Sequence, residues 1–398
     1  MANPGLKLKP FQSVLSPKNW AKFTLPLHKT VITSLVERYQ SDKWVKFIFT
    51  EKLLSLYLFI GLAAGKTVSL RLIEVISKSS FAKFFTGLSD GISRSGLSDR
   101  NEVIPCNLFR DLVLYLAQQA GKKGKRVIKK AKGDFKIFDS TFISLAHKLI
   151  PWSCRSINKG LTSLALRIND GSWLPDKVIL RNEPGDNVVF ENLIDWMLKG
   201  ITYIFDRGFA TFEVFRKIAG SGNFFITRLP RGYVCNVVKR LKIKEAIGNR
   251  IKILRDEIVI VGGKTRENKF RARLITAVND KKETLYFFTN RFDLKALEIC
   301  EIYRRRWQIE LLFRWLKCQL KIDRVISYTE NGFYVQIYMA LILHLLIIIY
   351  RKNQKMTAFS LLEIYRFLQA WVYDFWGYCM FMRGVLFGAN LGLGGIQL

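Results

Sequence analysis

The chain has 398 residues, about half of them hydrophobic, with 64 Lys and Arg against 32 Asp and Glu, for a net charge of +32. That length allows two or three domains with a sizeable core. The charge argues against an ordinary enzyme of small metabolites and for a partner that neutralises cations, nucleic acid first. The six cysteines form no CxxC pair, and none of the three histidines stands at zinc-ligand spacing from one. A reduced, zinc-free protein is expected.

Residues 1–27 are basic and interrupted by prolines at 4, 10, 17 and 26, unlike a signal peptide, so a cytoplasmic, nucleoid-associated location is expected. From about Lys29 to Ala120, segments such as KWVKFIFTEKLLSLYLFIGLAA and LFRDLVLYLAQQA carry apolar residues at helical intervals. They predict an all-helical N-terminal domain, residues 1–132, as the DNA-binding part. GLAAGKT at 61–67 is one residue short of a phosphate loop and lacks a preceding strand. The run GKKGKRVIKKAKGD has no acid from Leu112 to Gly133. It is either a solvated linker or a phosphate-contacting segment, with Lys122, Lys123, Lys125 and Arg126 as its candidates.

FKIFDSTFISL, LTSLALRIND, DKVILRN, ITYIFD and NFFITRL then read as strands, with helices expected at VVFENLIDWML and TFEVFRKIAG. An α/β core begins here, residues 133–229. From 230 to 291 helical patterning disappears. VCNVV, IKILRDEIVIVGG, FRARLITAV and ETLYFFTN predict an all-β insertion standing outside the core sheet. One long helix, LKALEICEIYRRRWQIELLFRWLKCQLK, returns the chain to the core over 292–350, and 351–398 is a C-terminal helical region. The apolar run ALILHLLIII is shorter than a membrane span and reads as a buried core helix, so no membrane partner is expected.

Asp139 closes KIFD and Asp206 closes YIFD. Carboxylates at strand ends point into the crevice where α/β sheets bind ligands. Tyr303, Arg306, Glu310 and Lys317 follow the spacing Y-x2-R-x3-E-x6-K. On one continuous helix they share a face about 60° wide, with Arg314 and Lys321 close by. Ile302, Ile309, Leu312, Leu316 and Leu320 form a separate apolar face for packing on the sheet. A solvated, salt-bridged helix has the same Arg306–Glu310 spacing. A lone acid among cations is also suited to holding a divalent metal beside a phosphate. With water activated by metal, His147 is not needed as a base.

These residues resemble a family. Asp139 in IFDST, Asp206 in IFDRGF with GNFFITRL after it, the Tyr303/Arg306/Glu310/Lys317 helix and SRSGLSDRN in the N-terminal part are similar to bacterial insertion-sequence transposases of the DDE type with the YREK signature. The resemblance implies an RNase H-like mixed-sheet catalytic core with a β-insertion between the second aspartate and the glutamate, a gap of about 104 residues that is long enough to hold the strands of 230–291. It also implies metal-dependent cleavage of transposon ends and strand transfer into target DNA. Asp139, Asp206 and Glu310 would be the catalytic residues and ligands of two Mg²⁺ or Mn²⁺ ions about 3.5–4 Å apart. Tyr303, Arg306, Lys317, Arg314, Lys321 and Arg207 would contact DNA. The partners implied are double-stranded DNA, at terminal inverted repeats and target, and a second copy forming a homodimer on it. In hairpin-forming relatives an aromatic residue of the insertion helps hold a flipped base, and residues 230–290 contain no Trp. A nuclease without strand transfer and an inactive, transposase-derived DNA-binding protein are the alternatives.

Overall fold

The computed structural model describes residues 17–63, 68–121, 134–145, 152–156, 159–182, 192–195, 197–230, 236–243, 247–248, 250–262 and 269–372. The chain divides into two compact units, one of residues 1–122 with 316–398 and one of 123–315.

The first unit is helical. Helices α1 (Pro17–Thr24), α2 (Lys29–Tyr39), α3 (Thr50–Ala63), α4 (Leu70–Ser77), α5 (Ser80–Thr86), α6 (Arg94–Val103) and α7 (Cys106–Gly121) precede the strands. Serines start several of them. Ser69 and Ser93 accept backbone N–H bonds from Leu72 and Gly96, satisfying donors that a helix start leaves without partners.

In the second unit, β1 (Asp134–Leu145), β2 (Cys154–Ser156), β3 (Lys159–Asn169), β4 (Pro175–Arg181) and β5 (Ile201–Ile204) lead to α8 (Phe212–Gly220) and β6 (Phe224–Arg228). Strands β7 (Asn236–Arg240), β8 (Ile247–Gly248), β9 (Ile251–Gly262), β10 (Lys269–Asn279) and β11 (Thr284–Thr289) follow, then α9 (Ala296–Arg304) and α10 (Trp307–Cys318). β3 lies antiparallel between β1 and β4, while β5 runs parallel to both β1 and β6. Parallel neighbours require a crossover, and α8 supplies the one between β5 and β6. Its cap is Thr211, which accepts from the Val214 N–H. Phe215 of α8 stacks on Phe225 at 4.7 Å, and Phe138 of β1 stacks on Phe205 at 5.0 Å. These rings form the core beneath the ends of β1 and β5.

Three expectations are corrected here. The insertion is antiparallel, as its strand runs suggest, but it does not stand outside the core sheet. β11 pairs with β6 through Phe288↔Thr227 and its neighbours, giving one continuous sheet of 11 strands among the described residues. Phe288, Val259 and Ala272 share the core cluster with Phe205 and Phe225. Buried Arg291, just past β11, holds the junction by donating to Asp293 and to the Thr202 hydroxyl of β5. Second, the helix expected at VVFENLIDWML has only residues 192–193 helical in its described part.

Third, the long helix after the insertion is broken. α9 ends at Arg304 and α10 begins at Trp307, with Arg305 and Arg306 in a turn. After α10 the chain enters α11 (Glu330–Asn353), which packs on α7, α3 and α6 and is counted with the helical unit, although the sequence reading groups 292–350 with the core. α11 is the one helix among the described residues long and apolar enough to cross a membrane, and 83% of its most apolar window is buried inside the protein. Most of ALILHLLIII is buried within it.

Candidate active site

Asp139 and Asp206 are brought level by register. β1 and β5 are paired in parallel as far as Ile137↔Ile204, and each aspartate stands two residues beyond that pair. Since side chains on a strand alternate with period two, the same offset in parallel neighbours gives both carboxylates the same side and height. Asp139 is not at a strand end, however. β1 continues to Leu145 against β3, and only its parallel neighbour stops. Asp206 caps the short 3₁₀ turn Arg207–Phe209, whose exposed Arg207 points away from the core.

The break between α9 and α10 supplies the rest. Buried Ile302, Ile309, Leu312 and Leu316 anchor the two helices. Arg306, in the break, places its guanidinium among three carboxylates. Nη1 donates to Asp139 Oδ2 at 3.2 Å, Nη2 donates to Glu310 Oε1 at 2.6 Å, and Nε lies 3.9 Å from Asp206 Oδ1. The buried Nε makes no hydrogen bond. The Tyr303 hydroxyl donates to Asp206 Oδ1 at 3.3 Å, and its ring lies under the Arg306 guanidinium at 5.7 Å. Two aspartates, a glutamate, a tyrosine and an arginine thus converge on one point of the 123–315 unit.

Burial pushes the Asp139 carboxyl up to about 6, against the opposing pull of Arg306 and of the Ser140 N–H bonded to it. Burial likewise raises the Tyr303 hydroxyl to about 12, so it remains a neutral donor. The Arg306 guanidinium loses charge stabilisation by burial, but Tyr303, Asp206 and Glu310 outweigh that loss and raise its pKa. Among the described residues, no three His, Cys, Asp or Glu side chains form a ready enclosure for a metal ion. The acids close on a guanidinium rather than on one another.

The other sequence candidates are dispersed. Arg314 is exposed on α10, and Lys317 is half-buried in its last turn, where desolvation lowers its pKa. Lys321 lies beyond the end of α10 with φ of 53°, so it is not on that helix face. Tyr303 sits on α9 and Glu310 on α10, so the signature residues meet through a turn and not along one helical stripe. Lys122, Lys123, Lys125 and Arg126 fall outside the described residues. Sequence reasoning missed a cavity of about 430 Å³ that Tyr303 and Arg306 share with Arg228, Arg250, Lys281 and Trp307. Its residues come from four separate segments of the chain, which local patterning does not connect.

Residues 130–346, more than half of the chain, match the family described as Transposase DDE domain. The chain belongs to that family. It is a transposase of the insertion-sequence DDE type, and relatives agree. A Sinorhizobium fredii protein named as transposase y4zB is 27% identical over 66% of this chain and 72% of its own length. The transposase named for insertion sequence element IS4SA of Synechocystis is 26% identical over 77% and 87%. That named for element IS5377 of Geobacillus stearothermophilus is 22% identical over 67% and 70%. A solved piggyBac transposase synaptic complex with hairpin DNA aligns over 94% of this chain and 82% of that one. Its TM-score of 0.47 at 10% identity is too low to establish a shared fold.

Proposed function

We propose that this transposase cuts transposon ends and joins them to target DNA at the cluster of Asp139, Asp206 and Glu310, on an RNase H-like core. The observation that carries the reading is the convergence of those three carboxylates on the single Arg306 guanidinium. Three antiparallel strands followed by two parallel ones, with an acid within β1 and another just past its parallel neighbour β5, support the RNase H-like assignment.

The donor set fits a divalent metal. Three carboxylates are hard oxygen ligands suited to Mg²⁺ or Mn²⁺. A buried acid pushed up to about 6 and a guanidinium drawn in among acids both indicate a site in need of positive charge. When bound there by Asp139, Asp206 and Glu310, two such ions supply activation of water and stabilisation of the leaving 3′-oxygen. The protein's own groups do the remainder. Asp139 and Asp206 are held level by the sheet, and Tyr303 orients Asp206 by its hydroxyl. Arg306, once released from the acids, is placed to bind a backbone phosphate, for which its planar fork is suited. Arg207, Arg314, Lys317 and Lys321 would add phosphate contacts that fix register without reading sequence. Duplex DNA at the terminal repeats and target, held by a homodimer, is the expected partner.

The test is an assay with duplex carrying the element's terminal sequence, a target plasmid and Mg²⁺. Cleavage followed by covalent joining to the plasmid supports the reading, with Glu310→Ala as the inactive control. Cleavage without joined product would favour a nuclease on the same core. DNA binding with neither would point to an inactive, transposase-derived binding protein.

A further inference from the structure

The run Arg304-Arg305-Arg306 is divided among three tasks. Exposed Arg304 pairs with Glu301 on its own helix at 2.6 Å, and Arg306 enters the acid cluster. Arg305 turns to the tip of the β3–β4 hairpin, where Nη1 donates to Asp170 Oδ2 at 2.7 Å. Gln308, one residue into α10, clasps the same tip. Its Nε2 donates to Asp170 Oδ1 at 3.1 Å, and its Oε1 accepts the Gly171 N–H at 3.1 Å. The tip is itself fixed, with the Asp170 N–H donating to the Phe135 carbonyl of β1 and the Ser172 N–H to that of Asn169. The Asp170 side chain is only 4% exposed.

We propose that Asp170 is a positioning residue for the active site: it sets the break between α9 and α10 and the rotation of α10, and so aims Arg306 and Glu310 at Asp139 and Asp206. This rests on the functional reading above. The two residues that Asp170 grips bracket Arg306, and Glu310 follows Gln308 by two. At the break the Gln308 N–H bonds to the Arg305 carbonyl and the Ile309 N–H to that of Arg306, three residues back in each case, a tightened geometry that Arg305 and Gln308 hold from outside. Apolar packing of Ile309, Leu312 and Leu316 fixes the depth of α10 but resists rotation weakly, because hydrophobic contact is non-directional. A rotation of about 20° would carry a side-chain tip 5–6 Å from the helix axis through about 2 Å. Productive geometry requires about 0.5 Å. Charge-assisted bonds to a buried carboxylate are directional and supply that restraint.

The full-length protein is compared with its Asp170→Asn and Gln308→Ala variants. Mn²⁺ affinity is read without DNA by electron paramagnetic resonance, single-turnover cleavage of end duplex at saturating Mn²⁺ is timed, and melting temperature and DNA affinity are measured alongside. For Asp170→Asn we expect a 10–100-fold loss of Mn²⁺ affinity and of cleavage rate, as when groups orienting metal ligands are removed, with DNA affinity unchanged. Arg305→Ala in the Asp170→Asn background should add little, since both remove one interaction. Gln308→Ala should lose less, in the same direction, and it decides the matter if Asp170→Asn fails to fold. Variants with parent Mn²⁺ affinity and rate, whatever their melting temperatures, overturn the positioning role alone. A parent protein that binds no Mn²⁺ brings down the metal-dependent reading, and this inference with it.

Discussion

Arg306 donates to Asp139 at 3.2 Å, so the most buried acid of the cluster is held by the one cation that the acids share. Burial still prevails and pushes the Asp139 carboxyl up to about 6, above the value of about 3.9 expected in an unfolded chain. An acid with a raised folded pKa contributes stability that is full below the unfolded value and is lost as pH rises through the folded one. In EDTA the parent should therefore lose stability relative to Asp139→Asn between about pH 4 and 6. Above pH 6 the Asn variant should melt higher, and near pH 4 the two should coincide. Thermal melts across that range are the check, and a constant difference would mean that Asp139 is not the titrating group.

The same guanidinium should oppose metal loading. Arg306→Ala leaves Asp139 without its cationic partner and the three acids in mutual repulsion. Breaking a buried pair by removing one partner costs about 3–5 kcal/mol, and the partial exposure of Asp206 and Glu310 reduces that here. The metal-free variant should melt several degrees below the parent at pH 7.5. Mn²⁺ should then raise its melting temperature by more than it raises the parent's. If Mn²⁺ stabilises parent and variant equally, the guanidinium does not compete for the site.

The fate of each sequence feature follows from the range of the interaction that decides it. Asp139 and Asp206 were legible because each follows a short β-prone run ending in Ile–Phe, and such runs are strands whose in-register pairing sets the acids level. Glu310 was legible from its spacing to Arg306, which survives the helix break because Arg306 immediately precedes α10 and Glu310 lies in its first turn. The break itself was not legible. The contact that clasps it is to Asp170, 135 residues before Arg305 in the chain, and no local propensity opposes a continuous helix there. The strands of the insertion could be read from their composition, but the pairing of β11 with β6 is a long-range choice made by Phe288 packing beside Phe225. The all-round apolarity of α11 announced burial without saying which layer would bury it.

The insertion contains its own test of that continuity. Asp256 of β9 and Arg273 of β10 are both almost fully buried and joined by two bonds, at 2.7 and 2.6 Å. Arg273 also donates to the Leu294 carbonyl ahead of α9, so this pair ties the insertion to the segment leading into the site. Asp256→Ala should destabilise the protein by about 3–5 kcal/mol by leaving Arg273 uncompensated. Asp256→Ala with Arg273→Met should recover much of that loss. Urea melts of the two variants measure it, and an Asp256→Ala protein as stable as the parent would show that the pair is wet and of little consequence.

Chemistry and DNA affinity should separate on mutation. Asp139→Ala, Asp206→Ala and Glu310→Ala should each abolish end cleavage while DNA affinity is kept or raised, since each removes a negative charge facing phosphate. Replacing Lys122, Lys123, Lys125 and Arg126 together by Ala should do the converse. Each lost phosphate contact flattens the logarithmic salt dependence of binding by about 0.9, so four contacts would change the slope by about 3.6. Affinity should fall correspondingly at low salt, while Mn²⁺ binding without DNA stays at the parent value because the acids are untouched. A salt titration on end duplex, run beside Mg²⁺-dependent nicking on the same variants, reads both effects. An unchanged slope in the fourfold variant would make the basic run a solvated linker, and an alanine variant that nicks at the parent rate would remove that acid from the site.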